Sequence, residues 1–389
     1  LDYDVYKITD LVAVGNFKPS LLTLDQFSMK IGDSDIAASG NLTNVWNYVF
    51  YNETLGGKIA IRSNYLNLNQ FMTDESAATA TATSAPVATE PILVPANINM
   101  AIDANIGKVK YTNMDLTNLN GSLAVANQAV TLQNMTANGL GGTLELNGGY
   151  DTKNPAKPRF DFGMNLQKLK FQDSFAAFNS FQTIAPIAKF MQGLFNAKIT
   201  MSSVLKPDLT PDLSTLTAEG LLHTIDAAIN GFAPLEKVGD KLNVDAFKGI
   251  KIKNSKNWFT VKDGAVVLDP FDYVFQDIAM KIGGSHKLAG GMDYQIVAKI
   301  PREKIGKNPL GAAANSGLEF LSKEASKLGL DVNAGEFVNV QINIGGSITD
   351  PKLGFKILGS EGKSTLKEAA TAKIEEAAQE KLYAAKAVA

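Results

Sequence analysis

Alternation of apolar and polar residues is the feature that most restricts what this chain can fold into. In segment 97–103, Asn-Ile-Asn-Met-Ala-Ile-Asp, every even-numbered position is apolar. The same period of two recurs in segments 161–167, 277–282, 339–344 and 352–357. Successive side chains of a β-strand point to opposite faces, so each segment predicts a strand with one apolar and one polar face. The chain is therefore predicted to be mainly β.

Glycine and asparagine between these segments predict tight turns, because both residues adopt positive φ readily. A loose unit of three strands over residues 119–150 recurs over 258–300 and, more faintly, over 21–42. Units that stack edge to edge extend a sheet in one direction. We therefore expect an elongated, curved antiparallel meander that forms a groove or a taco-like open barrel, with a few amphipathic helices and a C-terminal helix.

Composition divides the chain into four predicted parts. Residues 73–92 are rich in Ala, Thr and Ser and lack the large apolar groups that a core requires, which predicts a linker or loop. It separates an N-terminal β segment, 1–72, from a β-groove region, 93–358. An Ala-, Glu- and Lys-rich tail with an apolar residue at every fourth position predicts a helix over 359–389.

Two further helices are predicted inside the β-groove region. Phenylalanines and other apolar residues recur every three or four positions near 171–195, and Pro186 is expected to kink or split this helix. A similar spacing predicts a helix near 310–329. The Phe-rich helix is expected to plug the groove, close one end, touch a membrane or simply pack on the sheet.

The apolar positions of the alternating strands are the candidate site. A sheet with one apolar face must cover that face. Where the chain has few helices, acyl chains are one available cover. The predicted groove-lining residues are Ile98, Met100, Ile102, Val130, Leu132, Leu144, Leu146, Phe162, Met164 and Leu166.

Charge and cysteine content exclude several functional classes. The chain has 37 Lys and Arg against 39 Asp and Glu, a net charge of −2, which gives no general attraction to nucleic acid. There is no cysteine, so disulfides and thiolate metal sites are excluded. We predict no nucleic-acid partner and no bound metal or cofactor.

Few residues suit catalysis. The two histidines, His223 and His286, lie at no metal-ligand spacing, and His286 is placed in a turn with Gly283 and Gly284. The glycines at 139–142 precede an alternating strand and lack the Lys-Ser/Thr ending of a phosphate loop, so a hairpin turn is predicted. We predict no catalytic residues and no enzyme.

The start of the sequence and its apolar runs bear on membrane attachment. The chain begins at Leu1 without a methionine or a basic-then-apolar leader, and it contains no run of 18 apolar residues. We expect it to be part of a longer polypeptide whose membrane anchor lies upstream.

Segment 339–357, Asn-Val-Gln-Ile-Asn-Ile-Gly-Gly-Ser-Ile-Thr-Asp-Pro-Lys-Leu-Gly-Phe-Lys-Ile, combines a strand, a Gly-Ser-Ile-Thr-Asp-Pro turn and a second strand. It resembles the closing signature of AsmA-like and TamB-like C-terminal regions. Segments 216–242 and 261–300 look like other parts of the same region, and the resemblance covers about residues 95 to 357. The composition is similar to that of the Bacteroidetes branch.

The resemblance implies a periplasmic protein held in the inner membrane by an N-terminal anchor outside this sequence. AsmA-like proteins are similar to bridge-like lipid transfer proteins, in which phospholipid tails slide along the apolar side of a long sheet. It therefore implies phospholipid as partner, with outer-membrane or periplasmic proteins as further partners, and a role in outer-membrane biogenesis.

Two other functions remain open from the sequence. One is a structural or assembly factor for outer-membrane proteins that acts through protein contacts, which a closed core without a groove would favour. The other is a carbohydrate-active or other enzyme, which only a polar cleft with converging carboxylates would favour.

Overall fold

The computed structural model describes residues 2–3, 6–71, 93–206, 210–305 and 336–361. The predicted linker and the predicted helix near 310–329 lie outside these residues. Most of the predicted C-terminal helix does so too. Its first residues, 359–361, instead end a strand, because Ser360 pairs with Val338 and Glu361 with Phe337.

The chain divides into two compact units, Leu1–Ala227 with Lys253–Val266 (unit 1) and Ala228–Ile252 with Val267–Ala389 (unit 2). The strands within unit 1 are β1 Asp2–Tyr3, β2 Tyr6–Lys18, β3 Leu21–Ile31, β4 Ser34–Thr43, β5 Leu55–Asn67, β6 Ile98–Tyr111, β7 Met114–Ala126, β8 Ala129–Gly139, β9 Gly142–Asp151, β10 Arg159–Lys170 and β11 Met191–Val204. Strands β12 Thr217–Asn230, β13 Gly249–Lys262 and β14 Ala265–Phe275 have residues in both units. The strands within unit 2 are β15 Ile278–Lys287, β16 Met292–Pro301, β17 Phe337–Gly346 and β18 Pro351–Glu361.

Helices are few and short in the described residues. They are α1 Val45–Tyr51, α2 Phe171–Ala177 and α3 Asn179–Ile184 in unit 1 and α4 Ala233–Leu242 in unit 2, with 3-10 turns at Leu68–Phe71, Pro186–Phe190, Asp245–Lys248 and Arg302–Lys304. The prediction of a mainly β chain with few helices is confirmed.

Strands pair in the order of the chain. In unit 1 each of β1 to β10 pairs with the next strand, and in unit 2 the same holds from β15 to β18. All these pairs are antiparallel except β5–β6, which is parallel. The prediction of an antiparallel meander is thus confirmed apart from this pair. Parallel neighbours cannot be joined by a tight hairpin turn, and 30 residues separate Asn67 from Ile98 in the sequence.

The Phe-rich segment forms α2, α3 and the 3-10 turn, and not one kinked helix. It turns into strand β11 at Met191, earlier than the predicted end near 195. Pro186 begins the 3-10 turn, in agreement with its inability to continue a helix. The ring of Phe171 lies 4.5 Å from that of Phe195 in β11, so the segment packs on the sheet.

Glycine allows the backbones of neighbouring strands in unit 1 to approach closely. Gly148 in β9 has φ +134°, a conformation that other L-residues rarely adopt. A Cβ atom added there would collide with the carbonyl oxygen of Asp161 in β10. Gly163, also in β10, has open space around its Cβ position and an unexceptional φ.

Gly148→Ala is expected to destabilise unit 1 by about 1–3 kcal/mol, because it combines a strained φ with a backbone collision. Thermal and urea unfolding of the purified protein would measure the loss. Gly163→Ala is the matched control and is expected to leave the free energy of unfolding nearly unchanged. Equal stability of the two variants would contradict this account.

The carboxylate of Asp35 joins β4 to β5 close to the β3–β4 turn. Asp35 accepts hydrogen bonds from the backbone nitrogens of Asn64 at 3.0 Å and Tyr65 at 2.8 Å and from the side chain of Asn64 at 3.0 Å. Burial acts to raise the pKa of Asp35, but these hydrogen bonds outweigh it and hold the pKa below its usual value near 3.8.

A carboxylate whose pKa is depressed by folding stabilises the protein above its unfolded pKa, and this contribution is lost as the pH falls through the folded pKa. Asp35→Asn should therefore lower the melting temperature most at neutral pH, and the difference from wild type should shrink below about pH 4. Asp33→Asn, at an exposed position in the same turn, is the control. A deficit that is the same at every pH would refute this role.

Candidate functional site

The predicted groove-lining residues share one face of the sheet in unit 1. Residues paired across neighbouring strands lie on the same face. Ile102 in β6 pairs with Leu123, Leu123 pairs with Leu132 in β8, and Leu132 pairs with Gly148, which pairs with Phe162 in β10. This row of partners crosses five strands without changing face.

Parallel rows place the remaining predicted residues on that same face. Met100 pairs with Val125, which pairs with Val130. Further along the strands, Leu146 pairs with Met164 and Leu144 pairs with Leu166. We call this side of unit 1 the apolar face.

The apolar face extends beyond the ten predicted residues. Further apolar side chains on it, found through the same pairings, are Leu22, Leu24, Phe27, Leu42, Ile59, Ile61, Leu123, Val125, Ile199 and Met201. Sequence reasoning missed several of these because glycine or alanine interrupts the alternation in their strands. The face therefore spans β3 to β11.

All ten predicted residues are part-buried, and none is sealed or freely exposed. The same holds for the ten additional residues. Neighbouring side chains on the sheet cover their flanks, while solvent still reaches them. An apolar surface of this extent that remains accessible marks a binding surface more often than a core.

The opposite face of unit 1 is polar. Lys58 in β5 makes a salt bridge of 3.0 Å to Asp103 in β6, and Ser122 donates a hydrogen bond of 2.8 Å to the same carboxylate. The hydrogen bond from Lys58, followed by that from Ser122, holds the pKa of Asp103 below its usual value. Asn165 likewise donates to Glu145 at 3.2 Å. The charged and polar groups of this side therefore pair with one another.

One end of the apolar face is covered by the Phe-rich segment. Ala197 pairs with Leu166, so Phe195, two residues earlier in β11, points to the same face. Phe195 and Phe171 are 3% and 1% exposed. Asn113 in the β6–β7 turn donates a hydrogen bond of 3.0 Å to the carbonyl of Ala176, which fixes α2 over this end.

In unit 2 several apolar residues of the alternating strands are buried. Ile296 in β16 pairs with Ile342 in β17, and these two side chains are 4% and 0% exposed. Helix α4 contributes Val238 and Leu242, which are 0% and 1% exposed. Phe247 of the following 3-10 turn borders the same small space as Ile278. The predicted groove region runs to residue 358, and within its part in unit 2 Ile278, Ile296 and Ile342 are buried.

The contrast between the two units predicts unequal costs of truncation. Ile342→Ala is expected to cost about 2–5 kcal/mol of unfolding free energy, because it opens a cavity in a sealed core. Leu132→Ala should cost clearly less, because solvent already reaches Leu132. Urea unfolding followed by circular dichroism would compare the two, and a Leu132→Ala cost as large as that of Ile342→Ala would show that the apolar face is a core.

Polar groups singled out in the sequence have structural partners. His223 lies 3.3 Å from the Asn196 amide nitrogen through Nδ1 and 2.8 Å from Asn254 Oδ1 through Nε2, so both of its ring nitrogens have partners. His286 lies in β15, not in a turn, and its Nδ1 is 2.8 Å from the Tyr294 hydroxyl. The turn comes later, where Gly290 and Gly291 supply positive φ.

The glycine cluster at 139–142 forms the β8–β9 hairpin turn, as predicted. Gly139 pairs with Gly142, and the two residues between them, Leu140 and Gly141, both have positive φ. Such angles are those of the two-residue turns that match the twist of a hairpin. The cluster therefore has no phosphate-binding geometry.

Helix α1 is a feature that sequence reasoning missed. Its signal was the run Val-Trp-Asn-Tyr-Val-Phe-Tyr at 45–51, which holds four aromatic residues and no charge. Within the described part of the chain, no helix combines the length and apolarity that crossing a bilayer requires.

Comparison of the chain with protein-family models, curated proteins and solved structures finds no match.

Proposed function

We propose that the apolar face of unit 1 binds phospholipid acyl chains. In this proposal the chain is the periplasmic part of an AsmA-like protein, anchored to the inner membrane through a segment outside this sequence. It aids lipid transport from the inner to the outer membrane and so supports outer-membrane homeostasis, with outer-membrane or periplasmic proteins as further partners.

The observation that carries the proposal is a broad apolar face whose residues stay accessible in the folded chain. From β3 to β11 there are eight steps between strands, which at about 4.8 Å each give a path of roughly 40 Å along the sheet. One leaflet of a bilayer has a hydrocarbon depth of about 15 Å. The face is therefore long enough for the tails of a phospholipid.

The chemistry of the face agrees with a lipid ligand. It offers aliphatic, methionine and phenylalanine side chains, and the acidic and basic residues of the same strands lie on the other side. Acyl chains need contact and exclusion of water and no directed hydrogen bonds. Many interchangeable residues, with none indispensable, suit such a ligand.

Local geometry at the closing motif also agrees with the family hypothesis. Gly346 has φ +76°, and the Ser347 backbone nitrogen donates to the Asp350 carbonyl at 3.1 Å. Asp350 in turn donates its backbone nitrogen to the Ser347 hydroxyl at 3.0 Å. The motif thus forms a compact turn between β17 and β18, the arrangement that the resemblance led us to expect.

Native mass spectrometry of the purified chain tests the proposal directly. Wild type is expected to carry phospholipid. Leu132→Asp and Met164→Asp place a carboxylate on the apolar face and should reduce bound lipid several-fold, because a charge there must be desolvated against the acyl chains.

Thr131→Asp is the matched control, since Thr131 neighbours Leu132 in β8 but is exposed on the polar face. It should keep the lipid load of wild type, and circular dichroism should show that all three variants fold. Equal lipid load in wild type, Leu132→Asp and Thr131→Asp would overturn the proposal.

A second function is favoured by unit 2. Among its described residues, Ile278, Ile296 and Ile342 of the sheet are buried, which suits a module that acts through protein contacts. We therefore keep an assembly factor for outer-membrane proteins as the alternative. A chain that never carries lipid but co-purifies with an outer-membrane protein would support it.

A further inference from the structure

Helix α1 is attached to the sheet through its polar residues. Asn44 and Asn52 flank it with φ of 64° and 56°. The side chains of Asn44 and Asn47 donate to the carboxylate of Glu53 at 3.2 and 3.1 Å, and the Asn44 backbone nitrogen donates to the Ser20 carbonyl at 3.0 Å. These bonds hold the helix at the ends of β4 and β5.

The apolar side of α1 faces solvent. No residue of the helix is buried. Trp46, Val49 and Phe50 lie at helical positions i, i+3 and i+4 and are 44%, 63% and 60% exposed, and Tyr51 is 69% exposed. The rings of Trp46 and Phe50 lie 4.4 Å apart. A helix that covers a core buries its apolar side, whereas α1 exposes it.

The position of α1 connects it to the apolar face. The helix ends shortly before Leu55, which pairs with Ile98 of the predicted lining. Phe17 belongs to a row that runs through Leu22 and Leu42 toward Met100, and its side chain is 55% exposed. Helix α1 therefore lies at the end of the apolar face opposite the Phe-rich segment.

The size of the α1 surface argues against a protein as its occupant. A fully buried aromatic side chain covers about 150–250 Å², so Trp46, Phe50 and Tyr51, each exposed by about half, present roughly 200–400 Å², and Val49 adds less than any of them. A stable protein interface needs about 800 Å² from each partner. The patch is too small for a stable dimer but suffices to immerse one helix in a lipid interface.

The chemistry of α1 favours a bilayer. Trp and Tyr have an apolar ring with one polar group, which suits the boundary between acyl chains and headgroups. No charged residue lies between Asn44 and Asn52. Exposed Lys18, which ends β2 two strands from β4, adds a cation near anionic headgroups.

We propose that α1 inserts its Trp46, Val49 and Phe50 side chains into the interface of a phospholipid bilayer, which sets one end of the apolar face at the membrane. The choice of a lipid occupant rests on the proposed function. The docking itself is a separate property that vesicle binding measures without lipid transfer.

Trp46 provides the readout. The chain has two tryptophans, so Trp258→Phe leaves Trp46 as the sole tryptophan, whose emission is selected by excitation at the red edge of the protein absorption band. With vesicles of phosphatidylcholine containing a minority of phosphatidylglycerol, its emission should shift to the blue, and lipids brominated on the acyl chains should quench it. Emission that vesicles leave unchanged would overturn the proposal.

A paired substitution tests the helix face. Val49→Asp with Phe50→Asp should weaken co-sedimentation with these vesicles by roughly tenfold or more. Both side chains are exposed, so the melting temperature should stay near that of wild type. Val274→Asp, at a position 62% exposed in β14, is the control and should bind as wild type does. An equal loss of co-sedimentation in the control would overturn the proposal. It would also be overturned if the chain does not bind vesicles but self-associates through Phe50.

The two proposals fail separately. A chain that binds vesicles through α1 but carries no phospholipid would remove the proposed function and leave the docking. The docking proposal would fail, and the lipid-binding face would stand, if wild type carries phospholipid, Leu132→Asp loses it, and the α1 variants bind vesicles as well as wild type does.

Discussion

A sheet whose strands alternate apolar and polar residues has one face that water disfavours, and the rest of this structure depends on how that face is covered. The hydrogen bonds of the ladder are satisfied within the sheet, so they leave the face uncovered whatever the strand order. In unit 2 Ile342 and its neighbours in β17 are buried, and α4 adds the buried side chains of Val238 and Leu242. Unit 1 covers one end of its face with the Phe-rich segment and leaves Leu132 and the residues around it part-buried.

The period of two was enough to predict the strands and the shared face, because alternation is a local property that burial on one side enforces. It placed all ten lining residues on the same face, although they come from four strands that only the pairing brings together. The parallel β5–β6 pair was not predictable in this way, since register and direction depend on a connection that carries no periodic signal. The extent of the Phe-rich helix was also misjudged, because the buried positions of a helix and of a strand such as β11 both collect phenylalanine.

How the apolar face of a sheet is covered depends on tertiary contacts, so the sequence alone did not distinguish the two units. The alternating segments at 161–167 and 339–344 look alike as sequences. One lies on the accessible face of unit 1 and the other in the closed core of unit 2. In unit 2 the chain also turns at Gly231, with φ +71°, into α4, whose Val238 and Leu242 are buried.

Polar chemistry in unit 1 determines which surface remains in water. Lys58, Asp103 and Ser122 satisfy one another on the polar face, and Asn165 and Glu145 do the same farther along the sheet. Moving these groups into an apolar environment would cost several kcal/mol each, whereas the opposite face gains about 25 cal/mol for every Å² removed from water. A ligand or surface that covers unit 1 should therefore cover its apolar face and leave its polar face in water. At one end of that side, α1 directs its polar residues toward the sheet and its aromatic residues toward solvent. A surface that contacts α1 must therefore also be apolar.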